Sequence, residues 1–160
     1  MMLRSWMAPH GLHIEPGQPR DADAVATLHA QGFYRGWPRE DIASYLMDSE
    51  TPTLVVADKK RKVLGFAMLR LLGDDAELMT IAVDQKMRGK GLGKALLEAC
   101  FADLMTSSAK RMILEVAADN PSAIHLYKKL GFKQIGERQG YYARPNGQPA
   151  TALVMARDLL

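Results

Sequence analysis

The run Arg88-Gly89-Lys90-Gly91-Leu92-Gly93 lies between an apolar, strand-like stretch (residues 78–83) and a long apolar helical stretch (residues 92–104). Glycines have no Cβ to shield backbone N–H groups, and a helix N-terminus adds a partial positive charge. Strand, glycine-rich turn and helix in this order make a cradle for a phosphate. Arg88, Lys90 and Lys94 add cationic side chains to it. Spacing excludes two owners. A nucleoside-triphosphate loop needs Gly, four residues, then Gly-Lys-Ser/Thr. Counting back from Gly93-Lys94 puts Arg88 at the first glycine, and Ala95 stands where the magnesium-holding hydroxyl belongs. A dinucleotide fingerprint needs Gly-x-Gly-x-x-Gly early in a βαβ unit. Here Lys94 occupies the third glycine position, and the loop lies past mid-chain. What remains is another phosphate-bearing cofactor, or a plain glycine turn with incidental basic neighbours.

Periodicity supplies the elements that must position this loop. Residues 12–15 predict a short strand. Residues 20–31 predict a helix with Asp21 and Asp23 in its first turn, Gly32 as its stop, and Ala24, Val25, Leu28 and Phe33 as its apolar period. Pro38 opens a second helix that runs through Met47. Thr53–Ala57 and Val63–Leu72 follow as strands. They are joined by Lys59-Lys60-Arg61-Lys62, which reads as a solvated turn rather than a binding patch. Residues 76–83 form the next strand. After the glycine loop, Leu92, Ala95, Leu96, Ala99, Cys100 and Leu104 make the buried stripe of a helix.

In Arg111–Ala117, Met112, Leu114 and Val116 point to one face, and Glu115 shares the other with Ile113 and Ala117. Asn120 caps a short helix, Pro121 opens it and Gly131 stops it. Strands at 132–137 and 151–155 end the chain. The order β-α-α-β-β-β-α-β-α-β-β predicts an α/β (α+β) fold, a mixed central sheet of about seven strands with helices on both faces.

Composition narrows the class. The 160 residues suit one domain, expected over 12–160, after a flexible arm of residues 1–11 rich in Pro and Gly. A net charge of +3 is too weak to indicate nucleic acid. The single cysteine, Cys100, excludes an intramolecular disulfide and falls on a buried stripe. His10, His13, His29 and His125 show no metal-ligand spacing. No stretch has the length of a membrane-spanning helix, and the first residues do not make a signal peptide. A cytoplasmic protein, with no membrane partner and no metal, is the expectation.

The pattern Arg88-x-x-Gly91-x-Gly93 after a strand resembles the pyrophosphate loop of the GNAT acetyltransferases, which bind acetyl-coenzyme A. The element order matches theirs over nearly the whole chain. Thr80-Ile81-Ala82-Val83, Leu114-Glu115-Val116, the series Asn120…Ala123…Leu126-Tyr127…Leu130-Gly131-Phe132, and Gly140-Tyr141-Tyr142 are similar to the RimI type within that family. Such enzymes acetylate the N-terminal amine of ribosomal protein S18. The resemblance therefore implies acetyl-CoA as donor and a protein N-terminus, S18 above all, as acceptor. Direct attack in a ternary complex is the implied route.

The chemistry fits such an acceptor. A free α-amine has a pKa near 8, so roughly a tenth is neutral at pH 7, against well below ~0.1% for a lysine. A carboxylate then suffices as general base. Glu115 is the candidate, in apolar company that should favour its neutral form; a solvent-facing strand residue is the alternative. Tyr127 is the candidate proton donor to the departing thiolate, or an anchor of its helix on the sheet. Asn120 is first a helix cap and second a pantetheine contact.

By resemblance, a backbone N–H of Ala82 or Val83 stabilises the developing oxyanion. The strand end Ile81-Ala82-Val83 holds pantetheine like an added strand. The loop Arg88, Gly89, Lys90, Gly91, Leu92, Gly93, Lys94 takes the pyrophosphate. Trp37 is either a wall of the acceptor groove or a core anchor, and Tyr141 and Tyr142 precede a loop able to cover a peptide N-terminus. Phe33-Tyr34-Arg35-Gly36 departs from the short acidic or alanine-rich run of the RimI type, which leaves the acceptor open. The rival functions are acetylation of a small amine or a lysine, and a non-catalytic acyl-CoA sensor.

Overall fold

The computed structural model describes residues 4–33 and 35–159; Tyr34 of the atypical run and residues 1–3 of the expected arm lie outside them. Its strands are β1 (Trp6–Met7), β2 (His13–Pro16), β3 (Thr53–Ala57), β4 (Val63–Leu72), β5 (Asp75–Val83), β6 (Arg111–Ala117), β7 (Lys133–Tyr142) and β8 (Ala150–Asp158). Its α-helices are α1 (Ala22–Gly32), α2 (Arg39–Met47), α3 (Leu92–Leu104) and α4 (Pro121–Lys129). One sheet runs in the order β1-β2-β3-β4-β5-β6-β8-β7, with β5 and β6 parallel and the other neighbours antiparallel. The strand beyond the seven expected is β1, where Trp6 pairs with Ile14 and Met7 with His13. Two residues give no alternation to read in the sequence.

Helices cover both faces, as expected. On one face α3 buries Leu92, Leu96, Leu97, Ala99, Cys100 and Leu104 against Leu78, Leu114 and Val116, and Tyr127 of α4 joins the same cluster. On the other, α1 and α2 bury Val25, Leu28 and Ile42 against Val55, Phe66 and Met68. The start of α4 follows its signals: Asn120 Oδ1 accepts the Ala123 N–H at 3.2 Å, with Pro121 as first helical residue. Burial pushes the Cys100 thiol up to about 12, with Asp103 adding to it, so this cysteine is an inert core residue.

One expectation needs correction. The basic turn between β3 and β4 exists, and Asp58 Oδ1 organises it by accepting the N–H groups of Lys60 (2.9 Å) and Lys62 (2.8 Å). Arg61 is not a solvated member of it. It takes a left-handed backbone (φ 60°) and folds back on the protein. There it binds both carboxylate oxygens of buried Asp21, at 2.6 and 3.1 Å, and the carboxylate of Glu15. A fork of donors matched to two carboxylates outweighs the pull of water on one guanidinium.

Two irregularities mark β5. Met68 pairs with Thr80 but Leu69 with Leu78, so Met79 is an extra residue in a β-bulge. The parallel pairing with β6 covers only Asp75↔Arg111 to Leu78↔Leu114. Beyond it the two strands part.

Candidate active site

The parting of β5 from β6 leaves main-chain groups facing a gap, and the ladders say which. Asp84 donates to Leu64 at 2.8 Å, so Ala82 and Thr80 also turn to β4 by alternation, while Ile81 and Val83 turn to the gap. On the far bank Ala118 donates to Thr151 at 2.8 Å, which turns Glu115 and Ala117 away from β8 and toward the gap. The slot thus presents backbone donors and acceptors on both banks, as an extended ligand would need to pair like a strand. Between the two candidates for the oxyanion donor, the geometry selects Val83, because the Ala82 N–H faces β4.

The glycine loop stands at the mouth of this slot. Gly89 and Gly91 have φ of 76° and 83°. A Cβ at Gly89 would meet nothing within 4 Å, and one at Gly91 only Pro9, at 3.9 Å. Gly91 is the N-cap of α3 and no side chain caps it, so the first-turn N–H groups of Leu92, Gly93 and Lys94 point outward without an intrahelical acceptor. Arg88, Lys90 and Lys94 are exposed around them. Outward N–H groups ringed by cations give this turn the character of an anion site, and α4 packs beside it, since a Cβ at Gly93 would lie 3.5 Å from Leu126.

Glu115 and Tyr127 stand on opposite faces of the sheet, one on each side of the gap. Residues Met112, Leu114 and Val116 join the α3–α4 face, so Glu115 projects from the α1–α2 face. Its surroundings correct the expectation of apolar company. Arg138 Nη1 donates to Glu115 Oε1 at 2.9 Å. The sequence hides this pair because β7 is two strands from β6, with β8 between. Arg138 lies opposite Ala152, itself opposite Ala117, and the small Ala152 lets the long side chain cross.

Tyr127 is buried in the α3–α4 cluster, edge-on to Phe132 with ring centroids 5.8 Å apart. Burial, with Tyr142 adding to it, raises its phenol to about 12, so it keeps its proton at neutral pH. Tyr127 thus anchors α4, and its phenol keeps its proton. Tyr142 is pushed up to about 12 as well, by burial first and then by Glu115 and Tyr141.

The three residues expected to meet an acceptor fall on two parts of the structure. Trp37 packs against the α1–α2 core, 5.7 Å from Tyr45 between ring centroids, and stays half-exposed. Tyr141 is exposed beneath the Arg138 guanidinium, which lies 3.8 Å from its ring centre. After Tyr142 the chain is tied down by Arg144, which donates to both oxygens of Asp119 at 3.1 and 2.8 Å. Asp119 and Arg144 carry no motif in the sequence. Asp119 adjoins the capping Asn120, the one hint that this corner is constrained.

Among the described residues, no group of three or more His, Cys, Asp or Glu side chains could hold a metal ion, and no helix is long and apolar enough to cross a membrane.

Comparison with known proteins agrees with this geometry. Residues 22–132 match the sequence pattern of the acetyltransferase (GNAT) family. The Escherichia coli ribosomal protein bS18-alanine N-acetyltransferase is 39% identical over 95 residues, 59% of this chain and 64% of that enzyme. The chain thus spans just under two thirds of that relative's length. A Bacillus subtilis protein provisionally given the same name is 30% identical over 130 residues, 81% of this chain and 85% of its own. The crystal structure of the E. coli enzyme superposes with a TM-score of 0.85 at 28% identity, covering 92% of this chain and 94% of that one.

Proposed function

Since this chain belongs to the acetyltransferase (GNAT) family, we propose that it transfers the acetyl group of acetyl-CoA to the N-terminal α-amine of a protein, with the N-terminal alanine of ribosomal protein S18 as acceptor. The observation that carries this reading is the gap between β5 and β6, with Glu115 on one face, Tyr127 on the other and the glycine loop at its mouth. When bound there, acetyl-CoA supplies an acetyl group activated as a thioester. The first turn of α3, with Arg88, Lys90 and Lys94, holds its pyrophosphate. Ile81 and Val83 pair with the pantetheine arm, and Asn120, whose Oδ1 is committed to the Ala123 N–H, contributes to that wall chiefly by capping α4.

The acceptor enters from the α1–α2 face, past Trp37 and Tyr141. Glu115 takes a proton from the amine as it attacks, directly or through one water. The Val83 N–H bonds the carbonyl oxygen as charge builds on it. Tyr127 and Glu115, on opposite faces, separate the two proton transfers: Tyr127 gives its proton to the departing sulfur. Cys100 lies inside α3 with a thiol held protonated, which supports direct attack rather than an acyl-enzyme route.

Steady-state kinetics on an acceptor panel test the proposal. A peptide beginning with alanine after the S18 pattern should be acetylated with kcat/KM at least tenfold above the same peptide with a blocked N-terminus and above spermidine. Preferential turnover of the small amine would overturn it. The cradle has its own test. Gly91→Val places a branched side chain at φ 83° and should raise the acetyl-CoA KM at least tenfold with the peptide KM within twofold. Gly73→Ala, at φ 61° in the distant β4–β5 turn, carries similar strain and should leave the acetyl-CoA KM unchanged.

A further inference from the structure

His29, in the last turn of α1, belongs to no motif and is 1% exposed. Its ring is stacked between Phe33, at 4.2 Å and 11°, and Trp37, at 4.6 Å and 29°. Its Nδ1 accepts the Trp37 backbone N–H at 3.2 Å. That bond fixes the tautomer, so the proton sits on Nε2. Nε2 is buried and has no hydrogen-bond partner among the described residues. Burial lowers its pKa to about 4, so the ring is neutral under working conditions. A buried donor without a partner is costly, and an aliphatic residue here would avoid that cost. What the imidazole supplies, and an aliphatic group cannot, is an acceptor for the Trp37 N–H and a flat ring face.

What it does is visible at Gly36 and Trp37, which lie back over the last turn of α1. A Cβ at Gly36 would come within 3.1 Å of the Ala30 backbone, a close approach that favours glycine. Trp37 then lands with its amide on His29 Nδ1 and its indole on the imidazole face. Pro38 follows and opens α2, so the position of Trp37 is set before the helix begins. This corner lies beside the gap: a Cβ at Gly32 would sit 3.9 Å from the Ala82 Cβ and 4.0 Å from an Arg88 guanidinium nitrogen. Thr80, whose Oγ1 is likewise buried without a partner among the described residues, projects to this same face of the sheet, since it pairs with Met68 of the α1–α2 cluster.

We propose that His29 is a positioning residue for the acceptor: through its Nδ1 bond and its ring face it sets Trp37 as the wall against which the peptide N-terminus lies. The inference rests on the proposed function, because it needs an acceptor long enough to touch that wall. It acts through Trp37 and touches neither donor nor acceptor.

Three variants separate the contributions. His29→Phe keeps the stacking face and removes the acceptor, His29→Asn keeps an acceptor near Nδ1 and loses the stack, and His29→Ala removes both. In steady-state assays with the alanine-ended peptide, His29→Phe should raise the peptide KM fivefold or more. Its kcat and acetyl-CoA KM should stay within twofold of the wild type. His29→Ala should raise the peptide KM further, and His29→Asn should recover part of the loss. Combined with Trp37→Ala, His29→Phe should add nothing, since the group it positions is gone. A peptide KM unchanged in His29→Phe and His29→Ala, or a uniform fall in kcat with both KM values rising, would overturn the proposal. If His29→Phe does not fold, the comparison of His29→Asn with His29→Ala decides in the same terms. Failure of the proposed function shows separately, as absence of peptide acetylation by the wild-type protein.

Discussion

Glu115→Gln is expected to lower kcat/KM for an alanine-ended peptide by about 10²–10³ at pH 7, within the range for loss of a positioned general base. The acetyl-CoA KM should not move, because the glycine loop lies on the other side of the gap. The substitution keeps size and shape and removes the charge. It also removes the ion pair with Arg138, whose side chain is 53% exposed. A solvent-screened pair of this kind adds little to stability, so the fold should survive and the thermal midpoint should shift little. The pH profile separates the amine from the base. Both proteins use the neutral amine, whose pKa is near 8, so both rates should rise together from about pH 6.5 toward pH 9. The neutral amine still sheds a proton as it attacks, so the deficit of the variant should persist across this range. A variant within twofold of the wild type at pH 7, or a deficit that vanishes once the amine is neutral, would remove Glu115 from the attack.

Tyr127→Phe is expected to lower kcat by about 10–100-fold and to leave both KM values nearly unchanged, as for a proton donor acting late in the reaction. The phenol, raised to about 12, stays protonated across the working range, so the wild-type rate should show no loss from this group below about pH 10. A donor thioester built on a more acidic thiol needs less help in leaving. With such a donor the deficit of Tyr127→Phe should shrink toward unity. If the deficit is absent with both thioesters, Tyr127 serves only to anchor α4, and a deficit equal for both excludes proton donation to the sulfur. The edge-on contact with Phe132 is preserved in the variant, so that anchoring role alone predicts no change in kcat.

Much of this arrangement is legible in the residues. The bounds of α3, β6 and α4 follow from the glycine loop, the strict alternation around Glu115 and the Asn120-Pro121 cap, each a local signal that the structure repeats. The same signals place Glu115 on one face and the glycine loop at a helix start. What the residues do not disclose is tertiary. Arg138 reaches Glu115 only because β8 inserts between β6 and β7 and presents Ala152 beneath it. The carboxylate therefore faces a cation where its strand neighbours Ile113 and Ala117 suggest apolar surroundings. Arg61 behaves likewise: the basic residues of a turn look solvated, yet this one finds two carboxylates far earlier in the chain, on Glu15 and Asp21. The choice of Val83 over Ala82 as the backbone donor needs the ladder phase, which a bulge at Met79 helps to set and no periodicity in the sequence reveals. His29 is a fourth case, since an isolated histidine in an amphipathic helix carries no signal until Trp37 folds back on it.

The decisive measurement is tandem mass spectrometry of the S18-type peptide after incubation with the protein and acetyl-CoA, with Glu115→Gln run in parallel. A single acetyl group is expected on the α-nitrogen of the N-terminal alanine, formed rapidly by the wild type and, for loss of a general base, at about a hundredth of that rate or less by the variant. An acetyl group on an internal lysine, or an unmodified peptide beside an acetylated small amine, would contradict N-terminal acetyl transfer through Glu115.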